Sequence, residues 1–218
     1  MVSKAFLSYQ TNDKVVAGRV KDALRGVGIE AFLAHEDIHV SQEWRLKILE
    51  EIGIAELFIC LLSKNYFQSA WCVQESGIAA FRPGLPIIPL SLDGTIPQGF
   101  IAHLQSVKID QDSISIDDLL PAFMTHSFSK GIAILIDRIA GSRNYRGAEA
   151  NFQKILPFIS KMTGEQVKSL LDKVADNDQV YDAALCARDY IPPLLKLHGR
   201  LLKPKTRKFL KDTCARYA

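Results

Sequence analysis

The sequence predicts an α/β fold, a five-stranded parallel sheet with helices on both faces, followed by a small all-α region. Two observations carry this expectation. Over about the first 110 residues, short apolar runs alternate with segments whose apolar residues recur at helical spacing, and strands separated by helices pair in parallel. Near Asp110-Gln111-Asp112-Ser113 the alternation stops, and the pattern stays helical from there on. We therefore expect a sheet domain over residues 1–112 and a helical region over residues 113–218.

Lys4 to Tyr9 and Glu30 to Leu33 read as strands, and Val16, Val20, Ala23, Leu24 and Val27 between them share one helical face. After the polar stretch His35 to His39, Ser41 is placed to cap a helix carrying Trp44, Ile48 and Ile52 at i, i+4 and i+8, with Trp44 read as a core residue. Leu57 to Leu62, Pro86 to Leu92 and Gln105 to Ile109 supply the remaining strands, and Ser69 caps a helix from Ala70 to about Ala80. In the second half, Thr163-Gly164-Glu165-Gln166 has capping-box spacing. Apolar positions such as Ile132, Leu135, Leu170, Leu171, Leu195 and Leu197 are available there for a core. Ligands of open parallel sheets bind beyond the carboxyl ends of the strands. That rule points to Ser8-Tyr9, to the loop from His35 to Val40, to Ser63-Lys64 and to the start of the Trp71 helix.

Composition narrows the function classes. With 48% hydrophobic and 23% charged residues in 218, the chain reads as an ordinary globular protein. No apolar run reaches the ~18 residues of a membrane span, and Met1-Val2-Ser3-Lys4 leads into a strand with no signal-like apolar region, so a cytoplasmic protein is expected. The four cysteines, Cys60, Cys72, Cys186 and Cys214, lack metal-ligand or disulfide-framework spacing and read as buried or free thiols. Walker A, GxGxxG and HExxH patterns are absent.

The formal net charge of +3 is unevenly spread. Lys196, Arg200, Lys203, Lys205, Arg207, Lys208, Lys211 and Arg216 are opposed at the C-terminal end by Asp212 alone. Such an end can bind nucleic acid or an acidic membrane by counterion release. Without interleaved aromatics it reads rather as a solvated helix face or a face docked on an acidic partner, and nucleic acid and membrane are not expected as partners.

On the helix after Ser69, Trp71, Glu75, Ile78 and Ala79 fall at i, i+4, i+7 and i+8, which puts Glu75 in the apolar stripe. Carboxylates are almost never buried unless paired, and one desolvated beside an aromatic is a candidate for function. From the pattern alone, a partnered structural glutamate is an equal alternative.

Four segments in order and at normal spacing resemble the TIR (Toll/interleukin-1 receptor) domain family over about the first 110 residues. Ala5-Phe6-Leu7-Ser8-Tyr9 resembles its first box, and Asp37-Ile38 through Ser41-Gln42-Glu43-Trp44 its BB loop and following helix. Leu61-Leu62-Ser63-Lys64-Asn65-Tyr66 and Ser69-Ala70-Trp71-Cys72-Val73-Gln74-Glu75 resemble the stretch that ends in the catalytic glutamate of enzymatic members.

The resemblance implies a flavodoxin-like fold with Glu75 as catalytic residue, Trp71 flanking nicotinamide, and Ser8, Tyr9, Gln10, His35 and Asp37 near the adenine-ribose end of NAD⁺. Here the acid after the second strand is displaced along Leu33-Ala34-His35-Glu36-Asp37, and Val40-Ser41 stands where receptor members carry Pro-Gly. The implied activity is NAD⁺ glycohydrolase or cyclase, giving ADP-ribose or a cyclic or modified ADP-ribose signal. NAD⁺ is then the substrate, with no metal or further cofactor.

The chain is similar to bacterial stand-alone TIR proteins of antiphage defence, of the Thoeris kind, which implies self-association through TIR domains and a separate effector that senses the product. Two other classes compete: a non-enzymatic TIR scaffold for TIR–TIR assembly, and a protein that uses its basic end on nucleic acid. Retention of Glu75 in the stripe favours the enzyme.

Overall fold

The computed structural model describes residues 3–33 and 44–217. Five strands, β1 (Ser3–Ser8), β2 (Ile29–Leu33), β3 (Leu57–Leu62), β4 (Ile87–Ser91) and β5 (Val107–Lys108), form one sheet in the order β2-β1-β3-β4-β5. Every pairing is parallel. The expected strands are all present, although the last is confined to two residues. Strand β3 is buried along its whole length, as a central strand covered on both faces must be.

Helices α1 (Lys14–Arg25), α2 (Trp44–Ile54) and α3 (Ala70–Phe81) connect the strands. Along β1, Phe6 and Ser8 share one face because side chains alternate with period two. Phe6 stacks on its cross-strand partner Phe58 with ring centroids 5.5 Å apart and planes 3° from parallel. This pair belongs to a buried cluster with Ile48 and Ile52 of α2, Cys72 and Ala79 of α3, and Cys60 and Tyr66. Trp44, read as a core residue, is partly buried and packs against that cluster, while the Ser41 cap lies outside the described residues.

Helix α4 (Ile116–His126) opens on a capping box between Ser115 and Asp118 and packs on β4 and β5. The chain accordingly divides into compact units at Met1–Phe128 and Ser129–Ala218. The division falls beyond the change of periodicity at 112/113, because the first helix after that change covers the sheet.

The second unit begins one residue into α5 (Phe128–Ala140) and continues with α6 (Tyr145–Ile155), α7 (Gly164–Ala175), α8 (Asp178–Tyr181), α9 (Ile191–His198) and α10 (Pro204–Cys214). The Thr163/Gln166 capping box forms as expected. Leu170, Leu171, Leu194 and Leu195 are buried, whereas Leu197, read as a core position, is 64% exposed. Asn177 Nδ2 donates to the carbonyls of Ala140 and Ser142 at 2.7 and 2.9 Å, satisfying groups at and just beyond the end of α5. Among the described residues no helix is long and apolar enough to cross a membrane.

The Phe6/Phe58 pair gives a test of this packing. Phe58→Ala should lower the stability of the sheet unit by about 3–5 kcal/mol, and Phe58→Leu by less than about 2 kcal/mol. Urea unfolding followed by tryptophan fluorescence checks both, since Trp44 and Trp71 lie in that unit. A loss below about 1 kcal/mol for the alanine variant would contradict a closely packed β1/β3 core.

A buried carboxyl at the carboxyl edge of the sheet

Ser69 has extended backbone at the N-cap of α3, and its hydroxyl accepts the Cys72 N–H at 3.3 Å, so the expected cap sets where the helix starts. From that start, the inward face consists of Cys72, Glu75, Ser76 and Ala79, at i, i+3, i+4 and i+7. Glu75 is 5% exposed. Trp71 is 41% exposed, so it stands at the solvent rim one turn before Glu75 and is not a buried member of the stripe. Small side chains at Ser76 and Ala79 make this inward face narrower than the spacing of large apolar residues suggested.

Ser8, at the carboxyl end of β1, is brought under α3, and its hydroxyl donates to Glu75 Oε2 at 2.6 Å. The same Ser8 oxygen lies 2.8 Å from the hydroxyl of Tyr66, a fully buried residue in the turn before α3. Serine has one hydroxyl hydrogen. While that hydrogen is on Glu75, the Tyr66 hydroxyl must donate to Ser8. Cys60, opposite Ser8 in the β1/β3 register, is buried in the same cluster as Tyr66. The result is a buried polar chain from Tyr66 through Ser8 to Glu75.

Burial dominates the electrostatics of this chain. It pushes the Glu75 carboxyl from its ordinary 4.5 up to about 7, against the opposing effect of the Ser8 hydrogen bond. The N-terminal field of α3 adds little, since it fades within the first turn and Glu75 lies beyond it. Burial also lifts Tyr66 well above its usual range and Cys72 up to about 11. Cys72 is thus a protonated, packed thiol at neutral pH, with no nucleophilic role. The other three cysteines are likewise buried and shifted upward, chiefly by burial.

Of the residues expected at a ligand site, Ser8, Glu75 and Trp71 converge here. Tyr9 follows on the chain but is only 3% exposed. Gln10 turns its side-chain oxygen onto the Asn12 N–H at 2.6 Å. His35 and Asp37 lie outside the described residues. Tyr66 carried no expected role, although Asn65-Tyr66 was part of the recognised motif. Its hydroxyl reaches Ser8 through a turn whose geometry no periodicity reveals.

A second polar feature lies at the ends of β3, β4 and β5, where Asp13, Ser63, Lys64, Asp93, Thr95 and Gln111 line an open cleft of about 680 Å³. The Ser63 hydroxyl donates to Asp13 Oδ2 at 2.7 Å. Partial burial and the Asp93 charge raise Asp13, while Asp93 is lowered, first by the Thr95 hydroxyl and then by the Lys64 N–H. Sequence reasoning pointed to Ser63-Lys64 by the strand-end rule but not to the two aspartates.

The Glu75 shift has a consequence for stability. Between pH 4.5 and about 7 the folded chain holds this proton more tightly than the unfolded chain. The stabilisation is complete below pH 4.5 and is lost as pH rises through about 7. A shift of that size is worth roughly 3 kcal/mol. Glu75→Gln, which keeps the shape and a hydrogen-bond acceptor for Ser8, should match wild type near pH 4.5 and exceed its stability by up to about 3 kcal/mol at pH 8. Urea titrations at the two pH values measure this, and a variant less stable than wild type at pH 8 would refute a desolvated Glu75.

Residues 5–120 match the family model described as TIR domain, a span that contains Ser8, Tyr66, Trp71 and Glu75. No curated protein matches the chain. Among solved structures, it is similar to the TIR domain of the Toll-related receptor TRR-2 from Hydra magnipapillata. The identity is 19%, the match covers 48% of this chain and 82% of that one, and the TM-score is 0.43. By the family match over residues 5–120, the chain belongs to the TIR domain family.

Proposed function

We propose that this protein cleaves the bond between nicotinamide and ribose in NAD⁺, with Glu75 as the catalytic carboxylate. The observation that carries the reading is a carboxyl group 5% exposed at the carboxyl edge of a parallel sheet, held by the Ser8 hydroxyl at 2.6 Å beneath a rim tryptophan. A structural glutamate would ordinarily be neutralised by a cation. Among the described residues the partner of Glu75 is the Ser8 hydroxyl and no cation is paired with it, which leaves its charge available to a cationic reacting centre.

Breaking the C1′–N bond sends its electron pair to the pyridinium nitrogen, so nicotinamide leaves neutral and positive charge develops on the anomeric carbon. A carboxylate beside that carbon stabilises the oxocarbenium-like state, as in glycoside hydrolysis, and in a desolvated site the effect is larger than in water. Nicotinamide is already cationic and needs no second carboxylic acid to leave. Water then adds at C1′ and loses a proton to give ADP-ribose, or a nucleophile within the same molecule closes a ring. The cationic substrate also favours ionised Glu75, offsetting the burial that otherwise keeps it half protonated near pH 7.

Ser8 positions the carboxylate, and Tyr66 holds Ser8 in the donating orientation. Trp71 presents an aromatic surface at the rim on which the nicotinamide ring can pack. Self-association through TIR domains would complete the ligand site from a neighbouring subunit, and the product would act as a signal read by a separate effector in bacterial antiphage defence.

Incubating purified protein with NAD⁺ and identifying products by mass spectrometry tests the reading. Glu75→Gln should lower turnover by about 10³-fold or more while remaining folded. Ser8→Ala should lower it by about 10–100-fold and displace the pH profile. In wild type, kcat/KM should rise with pH through an inflection near 7, as the free enzyme's carboxyl ionises. In Ser8→Ala the inflection should move higher, because the bond that favours the ionised form is gone. Full turnover by a folded Glu75→Gln variant would remove the catalytic assignment. No turnover at any protein concentration, in a protein that assembles through its TIR domain, would favour the scaffold.

A further inference from the structure

The basic C-terminal end is built around a groove. Arg207 and Lys211 stand one turn apart on α10 and line two adjoining depressions of about 520 and 370 Å³. The larger has an apolar floor of Pro192, Leu195 and Cys214, rimmed by Lys196, Arg207 and Lys211. The smaller adds Arg200 and Lys208, with Asp212 as the one acidic side chain along it. Both depressions therefore converge on the same two cations.

Two features set this groove apart from a solvated charged face. The Arg207 Nε is buried and has no hydrogen-bond partner among the described residues, although buried polar groups are almost always satisfied. Its cationic neighbours in the groove are also uncompensated. Arg216 is paired with Asp182 at 2.9 Å, but Lys196, Arg200, Arg207, Lys208 and Lys211 form no ion pair among the described residues.

A convergent cluster of uncompensated cations calls for an anion with several acceptor oxygens, which a phosphate supplies. The apolar floor calls for a body attached to it. A depression of this volume admits a ligand of drug or nucleotide size. Extended nucleic acid fits less well, because no aromatic side chain lines either depression. Phe209, the aromatic of α10, is instead packed edge-on against Tyr181 with centroids 5.0 Å apart.

We propose that the α9/α10 groove is a binding site for a small phosphate ester of nucleotide size, its phosphate held by Arg207 and Lys211 and its apolar body resting on Pro192, Leu195 and Cys214. This site lies wholly within the second unit and is independent of the Glu75 chemistry.

Isothermal titration of the full chain with ADP at low salt tests the proposal, with inorganic phosphate and a 20-nucleotide single strand as comparison probes. ADP should bind one per chain, about tenfold or more tightly than phosphate, which lacks the body. Lys211→Glu, at an exposed position, and Arg207→Gln should each weaken ADP by about tenfold or more. The double variant Lys203→Glu/Lys205→Glu makes a larger charge change on the same end outside the groove, and should weaken it by less than about threefold. Lys211 lies in the second unit, so loss of ADP binding in Lys211→Glu separates this site from the proposed NAD⁺ site. The proposal fails if ADP does not bind at millimolar concentration, or if its binding survives Lys211→Glu. It also fails if the outer double variant is as damaging as Lys211→Glu, or if the single strand binds more tightly than ADP.

Discussion

A parallel sheet has to be covered on both faces, because its connections run over those faces and its central strands carry apolar side chains on each side. Most of the first unit follows from that requirement. Strand β3 is buried throughout, β1 lies beside it, and α2 and α3 close over Phe6, Phe58, Cys60 and Tyr66. The same closure carries the end of β1 beneath the second turn of α3. Ser8 and Glu75, 67 positions apart, thereby come within hydrogen-bond distance, so the site is a by-product of covering the sheet at its carboxyl edge.

Burial and hydrogen bonding act in opposite directions on Glu75, and burial wins. A single hydroxyl donor supplies too little to offset the loss of water around a carboxylate, so the proton is held up to about pH 7. The polar chain behind Ser8 does not deliver charge to the site. It fixes orientation, because Tyr66 is itself buried and shifted toward its neutral form. A desolvated carboxyl with one hydroxyl donor among the described residues contributes less stability at neutral pH than at pH 4.5, because folding disfavours its ionised form.

The second unit works by different physics. Its helices present ordinary apolar faces and well-formed caps, and its charge is concentrated where α9 meets α10. Asp189 with Arg188 and Asp182 with Arg216 show that acids are used elsewhere in this unit to balance cations. The groove around Arg207 and Lys211 stands out by contrast, and it joins an apolar floor to positive charge within a concave surface.

What the sequence by itself determined were the features encoded by local spacing. The β-α alternation, the Ser69 cap, the Thr163 capping box, Trp44 against the core and the buried position of Glu75 all arise from contacts within a few residues or from a single period. Tertiary structure decided the rest, because those features depend on segments far apart in the chain. The Ser115–His126 segment belongs with the sheet since it packs on β4 and β5, which no change of periodicity at 112/113 could announce. Trp71 stands at the rim because α3 turns a narrow face of Cys72, Glu75, Ser76 and Ala79 inward. The bond from Ser8 to Glu75, the reach of Tyr66 and the unsatisfied Arg207 depend on side-chain direction and desolvation, quantities that exist only once distant segments have been brought together.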